Sequence, residues 1–237
     1  MLWTYWWSYI IVVPGIIFSV IAQIMVKNTY SYYSRVPSKS GLTAEALSEK
    51  LLRANDCAVR VVSVKGELTD NYNPSTKVLS LSQSTYGKTS VAALGVAAHE
   101  TGHAVQDAKR YLPLRFRAIL VPVVNFGSRL AVPLVVVGVL LELFIQNPVF
   151  GDWFITLGII SYSLATIFAL VTLPVEFNAS HRAIRMLKDS GTMDKSELAG
   201  AKKVLTAAAM TYVASMLVSL LYLLRFILIV SRFRRKD

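Results

Sequence analysis

The chain alternates long apolar runs with shorter stretches of mixed polarity. Residues 2–26 carry no charged side chain. At about 1.5 Å of rise per residue, such a run crosses the roughly 30 Å hydrocarbon core of a bilayer as one helix. Trp3, Tyr5, Trp6, Trp7 and Tyr9 crowd its first end, where amphipathic rings sit among lipid headgroups. A cleaved signal peptide fits less well, because no basic segment precedes the run and no small-residue cleavage site ends it. Residues 118–143 and 153–175 make two further runs. The first is interrupted only by Asn125, Ser128, Arg129 and Glu142, with Pro122 and Pro133 as kink points, and the second is uncharged. The polar link 146–152 reads as a tight turn, so the two runs predict a transmembrane hairpin. Residues 204–224 predict a fourth span.

The intervening segments have other periods. Residues 40–55 predict a helix with Thr43 as its N-cap. Residues 59–64 and 77–82 predict short strands, separated by the turn-rich stretch 68–74. The strand at 77–82 reads as an ordinary sheet strand, the alternative being an edge that accepts an extended substrate. Ser90 opens an alanine-dominated helix from Val91 to about Ala108. Residues 176–203 are polar and helical in pattern, with a break at 190–192, and residues 231–237 form a short basic tail. The expected architecture is a mostly α membrane protein of about four transmembrane helices with a small α+β domain. In order, it has a first span (1–26), the α+β domain (27–117), a hairpin (118–175), a polar helix (176–203), and a fourth span with tail (204–237).

Composition agrees with that layout. Of 237 residues, 54% are hydrophobic and only 16% charged, against about 25% charged in soluble domains. This excludes a disordered chain. The single cysteine, Cys57, excludes an internal disulfide framework and reads as a small buried hydrophobe. The net charge of +11 would suggest nucleic acid in a soluble protein, but basic stripes interleaved with aromatics are missing. Orientation in a membrane explains it better. Residues 27–117 hold 13 basic and 7 acidic groups, and 176–203 hold 6 and 4, which puts this side in the cytoplasm by the positive-inside rule. The tail's Arg232, Arg234, Arg235 and Lys236 count the other way. Within the second span, Asn125 and Arg129 share a face, and pairing inside the bundle is the expected use of such an arginine.

The chemistry concentrates in His99-Glu-Thr-Gly-His103, inside the alanine-rich helix. Histidines four residues apart differ by about 40° around a helix, so both imidazoles face one point. Neutral imidazole suits zinc, and Glu100 is close enough to act as general base toward a water at the metal. Zinc needs a third protein ligand. A third histidine at a fixed spacing is excluded, because Gln106 and Lys109 stand where glycine and histidine would be required. Glu176 is the preferred distant ligand, placed two residues after Pro174 as at a helix start; an acid stabilised at a helix N-terminus is the competing reading. His181 is a lesser third-ligand candidate. Ser180, one turn beyond Glu176, could support a ligating histidine or simply be solvated. Arg182, or less readily His181, could stabilise an oxyanion.

These residues carry a resemblance. The chain resembles the bacterial integral-membrane zinc metallopeptidases of the YugP-like family over residues 1–230. The likeness lies in Leu68-Thr-Asp70, Ala97-Ala-His-Glu-Thr-Gly-His-Ala104, Tyr111-Leu-Pro-Leu114 and Leu120-Val-Pro-Val-Val124. It continues in Leu173-Pro-Val-Glu-Phe-Asn-Ala-Ser-His-Arg-Ala183 and Ala201-Lys-Lys-Val-Leu205. It implies a zincin-like domain at the membrane face, one zinc held by His99, His103 and Glu176, and Glu100 as the catalytic acid–base. The wider gluzincin group carries Glu-x-x-x-Asp where this chain has Glu176 and Ser180. Members often read Asp-His-Tyr-Asp-Pro where this chain has Asp70-Asn-Tyr-Asn-Pro74, which weakens any auxiliary metal or acid role there. The implied activity is endopeptidase cleavage of proteins at or near the cytoplasmic face of the plasma membrane. The implied partners are the lipid bilayer and protein or peptide substrates, with a membrane protein partner or homo-oligomer left open and no nucleic acid. The alternative is an idle scaffold or adaptor that binds another membrane protein.

Overall fold

The computed structural model describes residues 10–145 and 148–234. The aromatic cluster at residues 3–9, Gln146 and Asn147 of the expected turn, and Arg235 and Lys236 of the tail lie outside the described residues. The elements run α1 (Val13–Tyr33), α2 (Ala44–Ala54), β1 (Arg60–Val64), β2 (Asn71–Asn73), β3 (Val78–Ser82), α3 (Val91–Ala108), α4 (Leu112–Ile145), α5 (Pro148–Asp189) and α6 (Lys195–Arg234). Two compact units emerge: one from residues 22–115 and 174–211, the other from the described parts of 1–21, 116–173 and 212–237.

In the first unit, Ala44, Leu47, Ser48, Leu51 and Leu52 of α2 are buried, the i, i+3, i+4, i+7, i+8 spacing of a single apolar face. Thr43 is extended at the N-cap position, but its hydroxyl caps nothing. The first helical N–H reaches the Lys88 carbonyl at 2.9 Å instead, which ties the start of the helix to the loop before α3. The sheet has order β1-β3-β2. β3 pairs in parallel with β1 (Val61↔Leu79) and antiparallel with β2 (Tyr72↔Leu79). Both edges of β3 are therefore taken, and the reading of 77–82 as a substrate-accepting edge is excluded. A central strand is buried on both faces, which explains why Leu79, Ser80, Leu81 and Ser82 are all buried.

The turn-rich stretch 68–74 contains the short strand β2, which its composition did not predict. Tyr72 anchors it by donating its phenol to Asp107 on α3 at 2.6 Å. Asp70 accepts from the Ser82 backbone N–H and hydroxyl, both at 2.8 Å, and so clamps the turn to β3. Cys57 is half-buried, its thiol donating to the Asn55 carbonyl. The core gathers Leu47, Leu51, Leu79, Leu81, Leu94 and Leu187 around the alanines of α3.

In the second unit, α4 and α5 make the expected hairpin arms. They approach through small residues: a Cβ built on Gly158 would lie 2.8 Å from the Ala131 carbonyl oxygen, and one on Gly138 2.7 Å from that of Gly151. Close backbone contact of this kind is how apolar helices associate in lipid. Among the described residues, three helices are long and apolar enough to cross a membrane: Leu112–Leu141, Val149–Asp189 and Lys195–Ile229. Ile119, Phe126, Val132 and Ile160 stand exposed on them. Asn125 and Arg129 lie on the exposed side of α4, and among the described residues neither has a hydrogen-bond or ion-pair partner. The expected internal pairing of Arg129 is not seen among the described residues, and the α4 face that meets α5 is built on Ala131, Val135 and Gly138.

One boundary differs in a way that matters. Pro174 does not start a helix; it lies inside α5, which runs unbroken for 42 residues. Proline removes one backbone donor, a loss that long helices of this class tolerate. The chain turns instead at Ser190–Asp194, where Gly191 takes φ +64°.

Candidate metal centre

Helix α3 begins with Ser90, whose hydroxyl accepts the Ala93 N–H at 3.3 Å. Alanines at 92, 93, 97 and 98 bury fully and let neighbouring backbone come close. The closest approach is at Gly102: a Cβ there would sit 2.6 Å from the Ala179 carbonyl oxygen of α5. That contact brings the motif helix against the segment carrying Glu176.

His99 and His103 lie one turn apart, their ring centroids 4.8 Å from each other and their planes at 85°. Glu176 faces both. Its Oε2 is 3.2 Å from His99 Nε2 and 3.5 Å from His103 Nε2, and one donor atom from each of the three residues falls within 4.8 Å of the others. Tetrahedral zinc with bonds of about 2.0–2.1 Å separates its ligands by about 3.3–3.4 Å. The two measured spacings bracket that value, and two imidazole nitrogens with one carboxylate oxygen form a donor set suited to zinc. The residues present fit the ion. Glu176 is mid-helix rather than at an N-terminus, so the reading of it as an acid stabilised by a helix dipole is removed.

Groups behind the trio hold it in place. The Ser180 hydroxyl lies 3.1 Å from His99 Nδ1. His103 Nδ1 is 3.0 Å from Gln106 Oε1. Gln106 is wholly buried, and its amide nitrogen donates to the Val175 carbonyl at 2.8 Å and to Asn178 Oδ1 at 3.0 Å. Arg182 donates from Nε to that same Asn178 oxygen at 2.7 Å. His181 is exposed, with its Nε2 3.1 Å from Arg185, and is not part of the trio.

Burial shapes the electrostatics. It pushes the Glu100 carboxyl above the ordinary carboxylate range, while the imidazoles of His103 and His99 pull it back only in part. For His103, burial works to lower the imidazole, but the Glu176 hydrogen bond and the Glu100 charge outweigh it and leave it raised. A carboxyl lifted toward neutrality is suited to taking and returning a proton. Gln106, Asn178 and Gly102 were not anticipated as site residues. Gln106 carries a signal in its spacing, because a residue three after a ligand shares its helix face. Asn178 and Gly102 depend on how close two distant segments come.

Residues 8–231 match the model of a family described as "Putative neutral zinc metallopeptidase". A relative from Bacillus subtilis (strain 168), named "Putative membrane protease YugP", is 44% identical over 210 residues, covering 88% of this chain and 89% of the relative. No solved structure matches the chain.

Proposed function

The chain belongs to this zinc metallopeptidase family, and from that premise we propose that it is a membrane-embedded endopeptidase carrying one zinc per chain. The observation behind the reading is the convergence of His99, His103 and Glu176 at ligand spacing beside the buried Glu100. In this account His99, His103 and Glu176 hold the ion. When bound, zinc supplies the Lewis acid that polarises the scissile carbonyl and brings the attacking water's pKa toward about 7. Glu100 accepts the proton of that water and returns it to the departing amine. Ser180 supports the His99 ring. Arg182 orients the Asn178 amide through its Nε, and in this account its terminal nitrogens are the donors toward an oxyanion.

The same account has residues 2–26 make a fourth crossing beside the three long apolar helices, and the mixed α/β unit as a zincin-like domain. The excess of basic groups in residues 27–117 and 176–203 supports a cytoplasmic catalytic side on the plasma membrane. Substrates are then proteins whose cleavable segments come near that face. The competing reading, an idle scaffold that binds another membrane protein, predicts no change when Glu100 is replaced.

The test is Glu100→Gln in the full-length chain. We expect zinc content equal to wild type and peptide hydrolysis lower by about 10²–10⁴-fold, read as accumulation of uncut membrane proteins in a proteomic comparison of cells carrying each form. Identical proteomes would overturn the enzyme reading.

A further inference from the structure

The polar chain behind His103 assigns Gln106 a role of its own. The atoms of this chain identify themselves in order. The Arg182 guanidinium can only donate, so the Asn178 atom it meets at 2.7 Å is an oxygen. An oxygen there, and the carbonyl of Val175, can only accept from the Gln106 atom that lies 3.0 and 2.8 Å away. That atom is therefore the amide nitrogen, and both of its hydrogens are used. The remaining Gln106 atom, Oε1, must accept from His103 Nδ1 at 3.0 Å. His103 accordingly carries a hydrogen on Nδ1, and its Nε2 is the nitrogen turned toward Glu176 Oε2.

We propose that Gln106 is the positioning residue of the metal centre: it fixes which nitrogen of His103 faces the ion and bolts α3 to the turn of α5 that carries Glu176. The inference rests on the reading of His99, His103 and Glu176 as the zinc ligands. It goes beyond that reading in making zinc affinity depend on residues that never touch zinc. Gln106 does two things with one amide. Its oxygen orients the ring, and its nitrogen holds the Val175 carbonyl, one residue from Glu176, and Asn178. Arg182 stands at the far end and keeps Asn178 from presenting its own amide nitrogen to Gln106. If Asn178 turned, Gln106 would lose one acceptor and the reason to keep its oxygen toward His103.

The experiment uses the full-length chain in detergent, with zinc affinity measured by competition against a chelator. Gln106→Leu is expected to weaken zinc binding by about 10- to 100-fold. Gln106→Glu keeps an acceptor opposite His103 Nδ1 but sets an oxygen against the Val175 carbonyl and Asn178 Oδ1, so it is expected to recover only part of that loss. Arg182→Met is expected to weaken binding several-fold although it touches no ligand. With only three histidines in the chain, 15N-histidine labelling gives a second readout: the Nδ1–H resonance of His103 in the zinc-loaded protein moves upfield in Gln106→Leu, which removes its acceptor, and downfield in Gln106→Glu, where a carboxylate accepts more strongly. A merely structural glutamine would lower thermal stability in Gln106→Leu and leave both the affinity of the folded protein and that resonance unmoved, which would overturn the proposal. If Gln106→Leu does not fold, Gln106→Glu and Arg182→Met decide it: Arg182→Met binding zinc as tightly as wild type contradicts the chain of orientation. Wild type without zinc would instead defeat the ligand reading beneath it.

Discussion

At the scale of single residues, the site shows what spacing reveals and what it hides. His99, Glu100 and His103 were legible because one helix turn fixes their mutual geometry. Glu176 was legible by elimination, as an acid at the foot of a returning apolar run. Ser180 is the instructive case. Sequence left it between solvent and support, and the fold puts its hydroxyl 3.1 Å from His99 Nδ1. A hydroxyl is a weaker acceptor than a carboxylate for the N–H of a ligating histidine. Ser180→Asp is therefore expected to tighten zinc binding by up to about tenfold, and Ser180→Ala to weaken it by a similar factor, in chelator competition. Equal affinities across the three would remove Ser180 from the centre. Asn178 was hidden, and Gln106 signalled only by its place three residues after His103, because an amide gains its full meaning only when its partners, here about 70 residues away, are known.

At the scale of elements, local rules succeeded where a cap or an apolar period marks the ends and failed where contacts distant in sequence decide. The cap at Ser90, the end at Ala108 and the strands β1 and β3 appear within a residue of expectation. β2 was missed because Asn-Tyr-Asn is turn-like in composition; pairing with β3 and the Tyr72–Asp107 bond hold it extended. Pro174 was read as a start because proline usually interrupts a helix, yet α5 carries through it. The α3–α5 contact has a sharper test. Ala179 offers backbone, not a flexible side chain, to any Cβ at position 102, so the two helices must separate to admit one. Gly102→Ala is expected to cost on the order of 1–3 kcal/mol of stability and to lower zinc affinity as well, measured by thermal unfolding and metal competition on one preparation. Wild-type affinity in that variant would show that the close approach does not set the centre.

At the scale of the whole molecule, the apolar runs were readable from the start, since uncharged stretches of 20 or more residues have few other uses. What the pattern could not reveal is that polar and apolar stretches join into single helices. α5 takes in both an uncharged run and Glu176, and α6 both the polar residues after Lys195 and the last apolar run. The candidate ligand Glu176 thus belongs to the same helix as a candidate span. The net charge of +11 changes meaning accordingly, from a hint of nucleic acid to an imbalance concentrated around the proposed catalytic side. The central claim is that one zinc sits among His99, His103 and Glu176. Its most direct test is the zinc-to-chain ratio of the purified full-length protein, determined by elemental analysis. The account predicts about one zinc per chain in wild type and in Glu100→Gln, and a small fraction of that in Glu176→Gln, because two histidines alone leave the site a ligand short. A wild-type chain without zinc, or a Glu176→Gln chain that keeps the full complement, would contradict it.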